Sequence, residues 1–231
     1  MKTIGLLGGM SWESTETYYR LINEGVQSRR GGLHSARLIL YSVDFQEVEE
    51  MQRAGDWEGA ASLLAEAARR LEMAGADFLL ICTNTMHRVA AAVEENIRIP
   101  LLHIADATGA AVREAGFDRV GLLGTRFTME QDFYRGRLRE RFGLETLIPE
   151  ADDRQRVHDV IFQELCRGRI DPNSRTDYYR IIEDLARRGA EAVILGCTEI
   201  SLLVRPEDTP VPLLDTTRIH AERALVASLA E

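Results

Sequence analysis

Two short polar segments carry the residue types that proton-transfer chemistry needs: Cys82-Thr83-Asn84-Thr85-Met86-His87 and Gly196-Cys197-Thr198-Glu199. Each follows an apolar run that reads as a strand and precedes a helical pattern. A strand-to-helix turn leaves backbone N–H groups free, and these can hold a carboxylate. A thiol in that position feels the helix dipole and is expected to titrate low, toward the thiolate range. Asn84, Thr85 and Thr198 add side-chain donors, and Glu199 completes the candidate substrate-binding set of these turns. A base and an anion cradle together suit removal of a proton beside a carboxylate, where the developing negative charge needs donors. The bland reading of a buried cysteine is core filling. It fits Cys82, which continues an apolar strand, and Cys166, which sits near the end of a helix. It fits Cys197 poorly, because the residues around it are polar.

Two further turns join them. Gly8-Gly9-Met10-Ser11 lacks the Gly-x-Gly-x-x-Gly dinucleotide fingerprint and reads as a tight turn whose Met10 contacts substrate. Gly124-Thr125-Arg126-Phe127-Thr128 offers the hydroxyls of Thr125 and Thr128 to a carboxylate. His87, early in its helical turn, reads as a structural or orienting residue rather than a base. His34, His103, His158 and His220 have no partner assignable from sequence.

These turns are positioned by a duplication. Arg70–Thr83 aligns without a gap on Asp184–Cys197 at an offset of 114 residues, pairing Leu71 with Leu185, Gly75 with Gly189 and Ala76 with Ala190. Gly5-Leu6-Leu7-Gly8 recurs as Gly121-Leu122-Leu123-Gly124, and Ile99-Pro100-Leu101-Leu102 as Val211-Pro212-Leu213-Leu214. The register sets Thr83 opposite Cys197. Duplicated halves usually face one cleft across a pseudo-two-fold axis, an arrangement suited to acid–base chemistry on the two faces of one carbon.

Short apolar runs alternate with helical stretches throughout. Expected strands are Thr3–Leu7, Ala36–Tyr41, Phe78–Ile81, Leu101–Ile104, Arg119–Leu123, Glu145–Ile148, Ala192–Leu195 and Val211–Leu214. Expected helices include Trp57–Met73, Gly109–Ala115, Met129–Phe142, Gln155–Cys166 and Arg175–Arg188, with apolar residues at helical spacing. Gly75, Gly116 and Gly189 close helices just before a strand. Strand–helix alternation predicts α/β architecture with parallel sheets and right-handed crossovers, with ligands at the carboxyl ends of the strands. The expected division is residues 1–104 plus 211–231 as one lobe and 105–210 as the other.

Composition narrows the function. The 231 residues include 28 Lys+Arg and 37 Asp+Glu, a net charge of −9 that argues against a general nucleic-acid or membrane surface. No apolar run reaches transmembrane length, and Met1-Lys2-Thr3-Ile4-Gly5-Leu6-Leu7 reads as a first strand, without a basic region followed by a long apolar stretch. Three cysteines make neither a disulfide framework nor a zinc site by their spacing, so no metal is expected and a reducing cytosol is the expected compartment.

The Gly-rich first turn, Asn84-Thr85 and Gly196-Cys197-Thr198-Glu199 together resemble the aspartate/glutamate racemase superfamily, over essentially the whole chain. The resemblance implies two flavodoxin-like lobes, an inter-lobe active site, frequent homodimers, no cofactor, and a small dicarboxylic amino acid as substrate. It implies proton transfer between two cysteines. The usual first motif, Cys-Asn-Thr, reads Thr83-Asn84-Thr85 here, and Cys82 stands one place early, pointing to the other side of the strand end. A Thr83/Cys197 pair resembles the L-aspartate/glutamate-specific subgroup, which also makes Gln52 a substrate contact. Cationic positions that hold the distal carboxylate in some aspartate racemases fall near Gln46 and Cys166. The resemblance leaves other outcomes open: a single-cysteine decarboxylase or isomerase of the same superfamily, or a dicarboxylate-binding protein without catalysis.

Overall fold

The structure, a computed structural model, describes residues 1–230. Strands β1 (Ile4–Gly8), β2 (Leu38–Ser42) and β3 (Phe78–Ile81) form a parallel sheet in the order β2-β1-β3. Strands β4 (Arg119–Gly124), β5 (Glu145–Leu147), β6 (Ala192–Gly196) and β7 (Leu213–Asp215) form a second, in the order β5-β4-β6-β7. Helices α1 (Trp12–Arg30), α2 (Phe45–Ala54), α3 (Trp57–Met73) and α4 (Ala90–Glu94) accompany the first sheet. With the second come α5 (Ile104–Glu114), α6 (Arg126–Glu130), α7 (Asp132–Phe142), α8 (Ala151–Gln163), α9 (Pro172–Arg187) and α10 (Ile200–Leu203). Helix α11 (Thr216–Leu229) ends the chain's regular structure. No described helix is long and apolar enough to cross a membrane.

The duplication extends to topology. Leu101 makes a parallel bridge to Leu79, in the place that β7 occupies beside β6. Leu79 N donates to the Pro100 carbonyl at 2.9 Å as Val193 N does to that of Pro212 at 2.8 Å. The register Leu7↔Ile81 recurs as Leu123↔Leu195, so the turns after β3 and β6 are equivalent in their own sheets. Gly75, Gly116 and Gly189 all take positive φ, 97°, 81° and 99°, the conformation in which a residue without Cβ ends a helix at least cost.

The period-2 alternation of strands sorts the first sheet's side chains onto two buried faces. Leu7, Leu79 and Ile81 pack with Val48, Ala60, Leu64 and Leu71 from α2 and α3. Ile4, Leu6, Phe78, Leu80 and Cys82 face the other way, onto Tyr18 and Ile22 of α1 and Ala221 and Ala224 of α11. Contact between α1 and α11 is close: a Cβ on Gly25 would lie 2.2 Å from Leu225 Cδ2. In the second sheet β4 and β6 are buried throughout, apart from Arg119 at the start of β4. They are packed by Val157, Val160 and Ile161 of α8 and by Tyr178, Ile181, Ile182 and Leu185 of α9.

Three expectations are corrected. Compact units comprise Met1–Ile104 with the chain from His220 onward, and Ala105–Ile219. The return point is therefore His220, not residue 211, because β7 hydrogen-bonds to β6 and stays with the second sheet. The expected helix Met129–Phe142 is two helices, α6 and α7, parted at Gln131, whose ψ of 150° is extended. The expected strand Leu101–Ile104 is reduced to one bridge because α5 already begins at Ile104.

Candidate active site

Parallel pairing puts the carboxyl ends of β1, β2 and β3 on one edge, with Gly8 beside Ser42 and Leu7 beside Ile81. Met10, Gln52, Thr83, Asn84 and Thr85 all lie on the segments leaving that edge. Gly9 has φ +91°, and its N–H donates to Thr15 Oγ1 at 2.8 Å. Thr15 Oγ1 donates in turn to the Ser11 carbonyl at 2.8 Å, and Ser11 caps α1. Ser14 Oγ donates to the Cys82 carbonyl at 3.1 Å, tying the first turn to the end of β3. Met10 is buried, and the Met10–Ser11 peptide is cis. Gln52, 5 % exposed, donates through Nε2 to Met86 Sδ at 3.0 Å, while its Oε1 is buried without a hydrogen-bond partner. An amide oxygen left so is costly unless something fills it, which suits a group that receives a substrate donor. Gln46 is exposed and donates to Glu50 at 2.8 Å.

Thr83 is half-buried and Asn84 and Thr85 are buried. Cys82 is wholly buried in the apolar cluster on the α1 face, and burial pushes its thiol far above the usual range. It is core, on the side opposite to the one a substituting base would need.

The turn is held from beneath by histidines. His87 Nδ1 lies 2.7 Å from the Thr83 carbonyl, and its Nε2 accepts from Ile104 N at 3.2 Å. A carbonyl can only accept and an amide only donate, so the ring is neutral with its proton on Nδ1. The His103 ring stands 4.5 Å and the His220 ring 5.9 Å from it, centroid to centroid. His220 donates through Nε2 to the Leu102 carbonyl at 2.7 Å and accepts from Tyr18 OH at 2.8 Å. All three histidines are buried. Sequence reasoning assigned neither His103 nor His220, because the fold alone brings His103 against the His87 ring and His220 to a main-chain carbonyl and a tyrosine 202 residues away in the chain. His158 belongs elsewhere: its Nδ1 accepts from Arg126 N at 3.2 Å and its ring tilts over Phe162.

Burial drives His220 down to about 4, from an ordinary 6.5, against a smaller upward pull from the Leu102 carbonyl. The unfolded chain therefore binds this proton first. The stabilising contribution of neutral His220 is complete above pH 6.5 and is lost as pH falls from 6.5 toward 4, on the order of 3 kcal/mol in total. Urea midpoints of His220→Gln should be lower at pH 7 but fall less steeply between pH 6.5 and 4 than those of the wild type. Parallel pH slopes would refute this.

On the second sheet, Gly124 pairs with Gly196, so the turns after β4 and β6 also share an edge. A Cβ on Gly124 would meet the Gly196 carbonyl oxygen at 2.9 Å; these strand ends approach too closely for side chains. Thr125 Oγ1 accepts from Thr128 N at 3.3 Å and so caps α6. Thr128 is wholly buried, its hydroxyl 3.2 Å from that of Thr125. Cys197 is 9 % and Glu199 3 % exposed. Cys197 Sγ donates to Glu199 Oε2 at 3.0 Å, and Thr198 Oγ1 donates to the same oxygen at 2.7 Å.

The expected low-titrating thiol is overturned. Burial first, then the Glu199 carboxylate and Cys166, push Cys197 well above the ordinary thiol range. The helix that follows, α10, has four residues, too few for a macrodipole that could offset this. Tyr178 is raised too, by burial and then by the Cys197 charge, which puts this tyrosine in the thiol's electrostatic neighbourhood. Among the described residues no group of three or more His, Cys, Asp or Glu could hold a metal ion.

Residues 7–224 match the Asp/Glu/Hydantoin racemase family. The chain is 53% identical to a Yersinia pestis protein solved as a candidate Asp/Glu racemase, with all of both chains covered and a TM-score of 0.93. An aspartate racemase homologue from Pyrococcus horikoshii OT3 is 34% identical, again over all of both chains, with a TM-score of 0.86. The broad specificity amino-acid racemase RacX of Bacillus subtilis (strain 168) is 21% identical over 98% of each chain. With a match spanning nearly its whole length and both candidate turns, this chain belongs to the Asp/Glu/Hydantoin racemase family.

Proposed function

We propose that the chain is an amino-acid racemase that needs no cofactor and interconverts the enantiomers of aspartate or glutamate, working best from the L-form. The observation that carries this reading is the inequality of two equivalent turns. The register of the two sheets makes Thr83 and Cys197 counterparts, and family membership makes proton transfer at an α carbon the chemistry to expect there. A thiolate is a competent base for so weak an acid; a threonine hydroxyl is far poorer and serves to return or relay a proton. In this reading Cys197 removes the proton of the L-enantiomer and Thr83 serves the opposite face. Asn84, Thr85, Thr198 and backbone N–H groups stabilise the enediolate-like charge on the α-carboxylate. Met10, Gln52, Thr125 and Thr128 complete the pocket.

Exchange of the α proton in deuterated buffer, followed by proton NMR from each enantiomer, tests the proposal. Loss of the signal should be much faster from L-aspartate or L-glutamate than from the D-forms. Thr83→Cys should raise turnover of the D-substrate at least about tenfold, since a thiol replaces a hydroxyl at the second face. Equal rates from both enantiomers in the wild type, or no gain in the variant, would remove Thr83 from the mechanism. Release of carbon dioxide from malonate-like acids without isotope exchange would instead indicate a decarboxylase.

A further inference from the structure

We propose that Glu199 is the proton acceptor that arms Cys197: the reactive state forms by passing the thiol proton across the existing Sγ–H···Oε2 hydrogen bond, not by losing it to water. This rests on the racemase reading of Cys197 and goes beyond the substrate-binding role that the sequence suggested for Glu199.

The geometry is direct. Sγ lies 3.0 Å from Glu199 Oε2, and Thr198 Oγ1 lies 2.7 Å from the same oxygen. Both acidic groups are nine-tenths or more buried. Two anions cannot stand this close in a dry site, because each raises the cost of the other's charge. Burial and the Glu199 charge already hold the thiol protonated at rest. Moving the proton within the pair leaves the site's net charge unchanged, so the thiolate appears without a second buried negative charge. Thr198 steadies the receiving oxygen, and the two-residue separation places the carboxylate on the same turn as the sulfur.

The exchange cycle closes in atoms and electrons. The S–H bond breaks and an O–H bond forms on Glu199, giving thiolate and carboxylic acid. The thiolate then takes the Cα proton, and the C–H electron pair passes to the α-carboxylate as an enediolate. The new thiol exchanges its hydrogen with deuterated solvent and returns a deuteron to carbon. Glu199 finally returns its proton to sulfur.

The test uses Glu199→Gln and Glu199→Asp in the full chain, with two readouts. One is α-proton exchange from L-glutamate. The other is the pH dependence of Cys197 alkylation by iodoacetamide, read at that residue by peptide mass spectrometry. For Glu199→Gln, exchange should fall at least about a hundredfold. Alkylation of the wild type should level off at a pH-independent floor as pH falls from 8 to 6, because the thiolate forms by transfer inside the pair; in Glu199→Gln the floor should vanish and the rate should fall about tenfold per pH unit. Glu199→Asp should keep part of the exchange. Loss of the floor is what a packing role cannot produce. Exchange within about threefold of the wild type in Glu199→Gln would overturn the proposal, and so would alkylation profiles of the same shape in both proteins. A wild type that exchanges no dicarboxylic amino acid would refute the racemase reading. In that case loss of the floor in Glu199→Gln would still support the Cys197–Glu199 pair, and an unchanged profile would overturn it.

Discussion

Cys197→Ala should lower α-proton exchange from L-aspartate and L-glutamate by at least about a thousandfold. Loss of a positioned base alone removes a factor of about 100 to 10,000, and here the same substitution removes the thiol of the polar turns that is not packed into a strand's apolar cluster. Cys82, which borders the first turn beside Thr83, is sealed in the α1-facing cluster with its thiol held protonated by burial. It cannot take over. The fold should survive the change, because Cys197 is a small residue on a turn and alanine leaves a cavity worth about 1 kcal/mol. Proton NMR in deuterated buffer reads the activity and urea unfolding reads the fold. Exchange retained within tenfold of the wild type would take Cys197 out of the mechanism altogether.

Gly9→Ala should be the most destabilising single-atom-scale change at the site, costing about 3–5 kcal/mol. The residue has φ +91°, where L side chains are strained, and its Cβ would stand 2.3 Å from the Val43 carbonyl oxygen and 2.6 Å from Val43 N. Neither neighbour is a side-chain tip that can swing away. Val43 N is itself bonded to the Gly8 carbonyl at 3.1 Å, so relief requires moving the segment that leaves β2. Gly55→Ala is the control: its φ of +74° and ψ of 17° lie in the left-handed well, but nothing lies within 4 Å of the added carbon. That variant should lose only the backbone term, about 1–2 kcal/mol. The difference between the two variants in urea midpoint isolates the collision. Equal losses would mean that the turn relaxes freely.

Much of this architecture is legible in the sequence because duplication and periodicity report on it twice. Leu71, Gly75 and Ala76 recur as Leu185, Gly189 and Ala190, and that register alone sets Thr83 against Cys197. The glycines that close helices are visible because only their backbone freedom suits the job. The break at Gln131 is not visible, since no Gly or Pro marks it; one glutamine with extended backbone ends α6 and starts α7. The placement of β7 is equally hidden. Val211–Leu214 repeats Ile99–Leu102, and the repeat shows its kind but not which unit closes after it. At the site, the residue types of the turns are readable and their electrostatics are not. Whether a thiol beside a helix start is lowered or raised depends on burial and on the side chain two residues on. Here both act upward. The histidine support of Thr83 is lost to sequence reasoning for the same reason: its bonds run to main-chain groups brought near only by the fold.

The return of the chain at His220 carries a consequence for biosynthesis. Every strand of the Ala105–Ile219 unit lies on one continuous stretch of chain. The other unit begins at Met1 but needs Ala221 and Ala224 to close the cluster around Ile4, Leu6 and Tyr18. As the polypeptide leaves the ribosome, the half made first is finished last. Its α1 face stays open to water until α11 has been translated.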